Sequence, residues 1–186
     1  PQAKYAKPGN VYLGLVHRLD RPVTGVVLFA RTSKAAARLS RQFREGTVRK
    51  LYLAIVEGTP AEGGATLAHF LAATGDARGV TRAAPAPFAG ARRAELRYRV
   101  TGRRRDRSRL EIELVTGRRH QIRAQLALAG WPVWGDVKYG ARRREGQAGI
   151  ALHAWRLEVA HPVGGAPVGL GAPRPAAWPW PDRGGG

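Results

Sequence analysis

The sequence predicts an α+β fold, a mixed and largely antiparallel central sheet with a few flanking helices, on three observations. Two alternating runs, AELRYRV (94–100) and RLEIELV (109–115), are separated by the charged segment TGRRRDRS, the pattern of an antiparallel hairpin. Two other stretches, 33–45 and 118–129, space apolar residues three and four apart and end in glycine, the pattern of amphipathic helices with C-terminal stops. The remaining apolar runs are short and β-branched, so strands outnumber helices.

Taken in order, TGVVLFA (24–30) lacks polar alternation and predicts a strand covered on both faces. A helix follows, capped by Thr32 or Ser33, with Ala35, Leu39 and Phe43 on one stripe and Gly46 as its stop. KLYLAIV (50–56) predicts a strand with Leu51, Leu53 and Ile55 on one face and Tyr52, Ala54 and Val56 on the other. Glycine and proline scattered through 59–92 predict short strands joined by mobile loops. The hairpin comes next, its tip a basic finger at 102–109. Thr116 and Gly117 then lead into the second helix, RRHQIRAQLALAG, with Ile122, Leu126 and Ala129 as its apolar stripe and Gly130 and Pro132 ending it. Strands at 150–154 and 156–160 complete the sheet. The Pro/Gly-rich tail from Pro162 predicts an extended or disordered end, so the domain runs over 1–163 and the tail over 164–186.

A chain of 186 residues with 44% hydrophobic content suffices for one core. No apolar run reaches the ~18 residues of a membrane helix, and PQAKYAKPGN lacks the order of a signal peptide, so the cytoplasm is the default compartment. The absence of cysteine excludes disulfides, thiolate catalysis and cysteine-based zinc sites. His69, His153 and His161 have no metal-ligand spacing, and neither an HExxH motif nor a phosphate-binding glycine loop occurs, so no metal or nucleotide cofactor is expected. The net charge of +19, from 32 Lys plus Arg against 13 Asp plus Glu, points to a polyanionic partner, with RNA or DNA first. The 27 arginines against five lysines fit high-GC coding bias, but that bias does not account for the scarcity of acids.

Against that background Asp20, in VHRLDRPVTG between Arg18 and Arg21, stands out. It falls on a turn leading into an apolar strand. Flanking cations would favour its charged form, as a carboxylate nucleophile requires, and a structural salt bridge explains the pattern equally well. Arg118, Arg119, His120, Gln121 and Arg123 form a second cluster at the start of a helix, where cations oppose the macrodipole unless a phosphate or a buried aspartate lies nearby. Tyr52 reads as a core tyrosine on pattern alone.

HRLDRPVTGVVLFARTSKAAARLSRQF, RKLYLAIVEG, LVTGRRHQIRAQLALAGWPVWGDVKYG and IALHAWRLEVAHPV, in that order and over roughly residues 8–163, resemble the RluA-type pseudouridine synthases. The resemblance implies isomerisation of uridine in RNA, rRNA or tRNA, without a cofactor: the bond from sugar carbon 1′ to ring nitrogen breaks and is remade to ring carbon 5. It implies that Asp20 is the catalytic carboxylate, attacking either carbon 1′ or the ring. It further implies that Tyr52, of the K-x-Y motif, stacks on the uracil and takes part in removing the carbon 5 proton, and that Arg123 is the ion-pair partner of Asp20. Arg18, Lys50, Arg118, His120 and Gln121, with the basic 102–109 segment, are then candidates for holding flanking RNA. The upstream strand and NKP-like motif usual in the family are not seen, KPGN (7–10) belonging to the approach to HRLD, and Val23-Thr24 replaces the usual Thr-Ser. With no initiator methionine, the chain reads as lacking its upstream first strand. Two other functions compete: a non-catalytic basic RNA-binding module, and a metal-free ribonuclease using His17 and His120 as acid and base. Monomeric action is the default expectation.

Overall fold

In the computed structural model, residues 11–77, 79–142 and 149–180 are described; the KPGN approach and the end of the tail lie outside them. The fold is α+β as predicted. The strands are β1 (Gly14–Leu15), β2 (Thr24–Gly25), β3 (Phe29–Ala30), β4 (Arg49–Glu57), β5 (Gly64–Ala73), β6 (Thr81–Ala84), β7 (Arg92–Arg104), β8 (Arg107–Leu114), β9 (Leu152–Ala160) and β10 (Pro167–Gly171). The helices are α1 (Ser33–Glu45) and α2 (Gln121–Leu128), with a short 3₁₀ turn at Val137–Tyr139. Seven strands form a path ordered β10-β9-β4-β8-β7-β5-β6, antiparallel throughout, and β2 joins alongside β9 in parallel to make an eight-stranded sheet. β1 and β3 pair separately. No helix among the described residues is long and apolar enough to cross a membrane.

The hairpin shows why the sheet forms. Along β8, Ser108, Leu110, Ile112 and Leu114 are buried while their neighbours are half-exposed, and Ala94, Leu96 and Tyr98 of β7 face the same side. This face packs with Ala54 and Val56 of β4 against Ile122 and Leu126 of α2, burying one core. The opposite face carries cross-strand ion pairs, Arg99 to Glu111 at 2.7 Å and Arg49 to Glu113 at 2.9 Å. A second core lies under α1, where Leu39 meets Ala30, Val48, Leu157 and Val159. Thr32 rather than Ser33 caps α1, its hydroxyl accepting from the Ala35 amide, and Gly46 ends it at φ +74°.

The structure corrects several sequence expectations. TGVVLFA is not one covered strand, since β2 and β3 belong to different sheets and Val27 and Phe29 are exposed. Gly25 is the reason: at φ +125° it lies so close to β9 that a Cβ would come 2.2 Å from the Ala154 carbonyl oxygen, and the chain then turns off the sheet. Region 59–92 contains the ten-residue β5, whose pairing with β7 from Gly64 opposite Arg99 to Leu71 opposite Arg92 supplies the order that its own pattern lacks. The basic finger is mostly strand, because the hairpin turns at Arg105 and Asp106. The two strands expected at 150–154 and 156–160 are one, β9, whose register against β4 shifts opposite Leu51 and Tyr52, so that Trp155 bulges. The tail is docked: β10 pairs with β9, and Trp180 is buried with Ile55, Trp134 and Ala151.

Candidate active site

β2 pins the chain to β9 at Thr24 opposite His153, and the Val23 amide closes a turn onto the Asp20 carbonyl. Thr24 Oγ1 and His153 Nδ1 lie 2.8 Å apart, and His153 is buried. The HRLD segment is thus held over the middle of the sheet. His17 is part of that support, its Nε2 accepting from the Leu28 amide at 2.9 Å and its ring stacked on Phe43 at 4.8 Å. Burial, reinforced by the charge of Lys50, keeps His17 below the ordinary histidine range. A neutral imidazole whose Nε2 lone pair is already engaged is poorly suited to the acid–base role in the ribonuclease reading.

Asp20 opens onto a cleft of about 300 Å³ between β4, β9 and the start of α2. Eight of the residues singled out in the sequence line it: Asp20, Tyr52, Arg123, Arg18, Lys50, Arg118, His120 and Gln121. The volume is at the low end for a small-ligand site and suits one nucleoside better than a stack of them. Tyr52 and Lys50 alternate on β4 toward the cleft. Burial, and secondarily the charge of Asp20, pushes the Tyr52 phenol up to about 12, so it is protonated at neutral pH. Burial also lowers the Lys50 ammonium below its usual value.

Asp20 meets Arg123, the partner that the resemblance implied, and not the arginines beside it in sequence. Among the described residues, the cation paired with it is Arg123, Nη1 to Oδ2 at 3.4 Å, rather than the adjacent Arg18 and Arg21, and the His120 imidazole approaches with Nε2 4.0 Å from Oδ1. Arg123 has a closer partner that the sequence reading missed. Asp136, 1% exposed, takes its guanidinium in a bidentate pair, Nε to Oδ2 at 2.6 Å and Nη2 to Oδ1 at 2.8 Å. Burial disfavours the Arg123 charge, but the bonds and charge of Asp136, with a smaller contribution from Asp20, outweigh it and raise its pKa. Asp136 is the buried aspartate that a cationic helix start requires. Its signal, a lone acid in GDVKYG, is the same scarcity that singled out Asp20.

Tyr139 was also missed. Its hydroxyl accepts from the Thr81 amide at 2.9 Å and lies 2.7 Å from His120 Nδ1, while its ring sits 4.9 Å from the Arg123 guanidinium carbon. His120 occupies the left-handed backbone region at φ +51°, uncommon for a residue with a side chain, immediately before α2. Burial lowers its pKa, partly opposed by Asp20.

Two RNA-contact candidates have other duties. Gln121 is buried, its Oε1 accepting from the Arg118 amide and its Nε2 donating to the Glu95 carbonyl, with Thr116 Oγ1 2.8 Å from Oε1. It ties down loop 116–118, and α2 consequently starts at Gln121, leaving Arg118 and Arg119 exposed ahead of it. The 102–109 segment does not line the cleft. Arg103 bonds Glu62 and the Pro60 carbonyl, Arg107 donates to the Pro179 carbonyl, and the guanidinium carbons of Arg104 and Arg109 each lie 5.6 Å from the Trp180 ring. Arg156 of β9, not foreseen, lines the cleft and pairs with Glu158 at 2.9 Å.

Fold and cleft together define a protein that presents one carboxylate, over a half-buried tyrosine, in a basic recess. A family model described as RNA pseudouridylate synthase matches residues 2–128, and the chain belongs to that family. It is 38% identical over 169 residues to an uncharacterised RNA pseudouridine synthase of Chloroflexus aurantiacus, and 36% identical over 175 residues to ribosomal large subunit pseudouridine synthase D of Xanthomonas campestris. These alignments take in 90% and 87% of the chain but 52% and 51% of the relatives, so the chain spans about half their length. Among solved structures, human RNA pseudouridylate synthase domain containing 1 superposes with a TM-score of 0.78 at 26% identity, covering 94% of this chain and 73% of that one. The RluA-type resemblance read from HRLD and TGRRHQIR is borne out.

Proposed function

We propose that this protein isomerises uridine to pseudouridine in structured RNA, with Asp20 as the attacking carboxylate. The observation that carries the reading is the setting of Asp20, which meets Arg123 at 3.4 Å and approaches His120 to 4.0 Å in a cleft floored by Tyr52. Ribosomal RNA is the first substrate to test, because relatives bear ribosomal large subunit names, and transfer RNA the second.

The target base must leave its stack to reach a recess of this size, at a cost of a few kcal/mol. Stacking on Tyr52, worth roughly 1–3 kcal/mol, and phosphate contacts from Arg18, Lys50 and Arg118 offset it. Asp20 then attacks carbon 1′ or the ring. The carbon 1′ to N1 bond breaks, the base turns, the carbon 1′ to carbon 5 bond forms, the bond that Asp20 made breaks with its electron pair returning to the carboxylate, carbon 5 loses its proton and N1 gains one, so atoms and electrons balance without a cofactor. Tyr52 serves as platform more readily than as base: with its pKa near 12, making the phenolate at pH 7 costs about 7 kcal/mol.

Because carbon 5 loses its hydrogen, RNA tritiated there reports the reaction directly. The full-length protein should release tritium from ribosomal or transfer RNA while the RNA keeps its length. RNA cleavage, or saturable binding with no tritium release, refutes the proposal.

A further inference from the structure

The two groups that address Asp20 are both backed by one short segment. Arg123 and His120 sit one turn apart at the start of α2 and face Oδ2 and Oδ1 of Asp20 respectively. Behind Arg123 stands Asp136, bidentate and buried; behind His120 stands Tyr139, whose ring also lies against Arg123. Asp136 and Tyr139 bracket the 3₁₀ turn, which is closed by the Tyr139 amide donating to the Asp136 carbonyl at 2.9 Å. One rigid turn therefore sets both donors.

We infer that the 136–139 turn is a positioning element for the reaction, Asp136 fixing the guanidinium plane of Arg123 and Tyr139 fixing the ring and tautomer of His120, so that both carboxylate oxygens of Asp20 are held in register. This rests on the functional reading above and adds two positioning residues to it. The Tyr139 hydroxyl accepts from the Thr81 amide, which can only donate, and in the inferred arrangement its single hydrogen is directed to His120 Nδ1, 2.7 Å away. The imidazole hydrogen is then on Nε2, the nitrogen nearest Asp20 Oδ1. Asp136 has a second effect. By taking two guanidinium nitrogens it leaves only Nη1 directed at Asp20, so the attacking carboxylate is oriented by a single longer bond rather than locked in a tight pair of its own.

The test uses Tyr139→Phe in the full-length protein, a variant that keeps the ring against Arg123 and removes only the hydroxyl. Single-turnover tritium release should fall roughly 10- to 100-fold, the loss expected when a reacting group is slightly misplaced, while RNA affinity stays within about twofold. Combined with His120→Ala, the substitution should add almost nothing to the loss from His120→Ala alone, since the hydroxyl acts through that ring. Nitrogen NMR of the His120 imidazole should show one Nε2–H tautomer in the wild type and a mixture in Tyr139→Phe. An active protein whose Tyr139→Phe variant keeps both rate and tautomer overturns the inference alone. Multiplicative effects in the double variant overturn it as well. A wild type that binds RNA but releases no tritium overturns the functional reading, and the inference with it.

Discussion

Replacing Gly25 with alanine tests how Asp20 is held in place. At Gly25 the backbone is at φ +125°, and the added Cβ would lie 2.2 Å from the Ala154 carbonyl oxygen and 2.6 Å from its amide nitrogen, backbone atoms that cannot rotate away. Backbone strain of about 1–3 kcal/mol and overpacking of about 1–3 kcal/mol together give a loss of roughly 2–6 kcal/mol. For a domain of this size that lowers the thermal midpoint by roughly 5–20 °C, read by circular dichroism. Gly46→Ala is the control, because Gly46 has φ +74° but nothing within 4 Å of its Cβ position, so only backbone strain of about 1–2 kcal/mol applies. Gly25→Ala should also slow isomerisation roughly 10- to 100-fold at temperatures where it is folded, since the β2 contact sets the Asp20 turn above Arg123. A midpoint within about 2 °C of wild type, or no worse than Gly46→Ala, would refute the reasoning that the β2–β9 contact anchors the Asp20 turn.

Three further outcomes follow from the same geometry. Tyr52→Ala should weaken binding of a target-uridine RNA by about 1–3 kcal/mol in filter-binding assays while Tyr52→Phe binds nearly as wild type, and equal affinity for all three would remove the stacking role. Burial and Lys50 hold His17 neutral in the fold, so as pH falls below about 6.5 the unfolded chain gains a proton that the folded one refuses. Its contribution to stability is complete above that pH and is lost as pH falls through its lower folded value; His17→Gln should flatten the fall in thermal midpoint between pH 7 and 5, though not abolish it, because His69 and His120 are shifted the same way. Trp180→Ala, which empties a buried site against Ile55 and Trp134, should cost about 3–5 kcal/mol in urea unfolding, whereas a loose tail would give no change.

The legible parts of the fold were those where local pattern and tertiary environment agree. β7, β8 and α1 alternate or repeat as their burial demands, and their caps are local. TGVVLFA misled because the decisive contact is between the Gly25 backbone and Ala154, 129 positions away, and a glycine carries no sign of what approaches it. β5 was obscure for a related reason: its residues have little pattern of their own and are ordered by β7. In the site, charge scarcity picked out Asp20 from local sequence, while Tyr52 and Arg123 needed the family resemblance. The part Gln121 plays in holding loop 116–118 was not legible, because residue type does not reveal burial or which backbone groups its amide meets. Asp136 was within reach of the scarcity reasoning, but its meaning depends on Arg123 lying 13 residues earlier on a neighbouring helix.

Asp20→Asn tests the central claim most directly, because the amide keeps the shape and removes the charge. The variant should fold, bind ribosomal or transfer RNA with affinity within a few fold of wild type, and release no tritium from carbon 5 in a single-turnover assay. Tritium release at the wild-type rate would contradict a carboxylate attack by Asp20 and leave the basic cleft without its proposed chemistry.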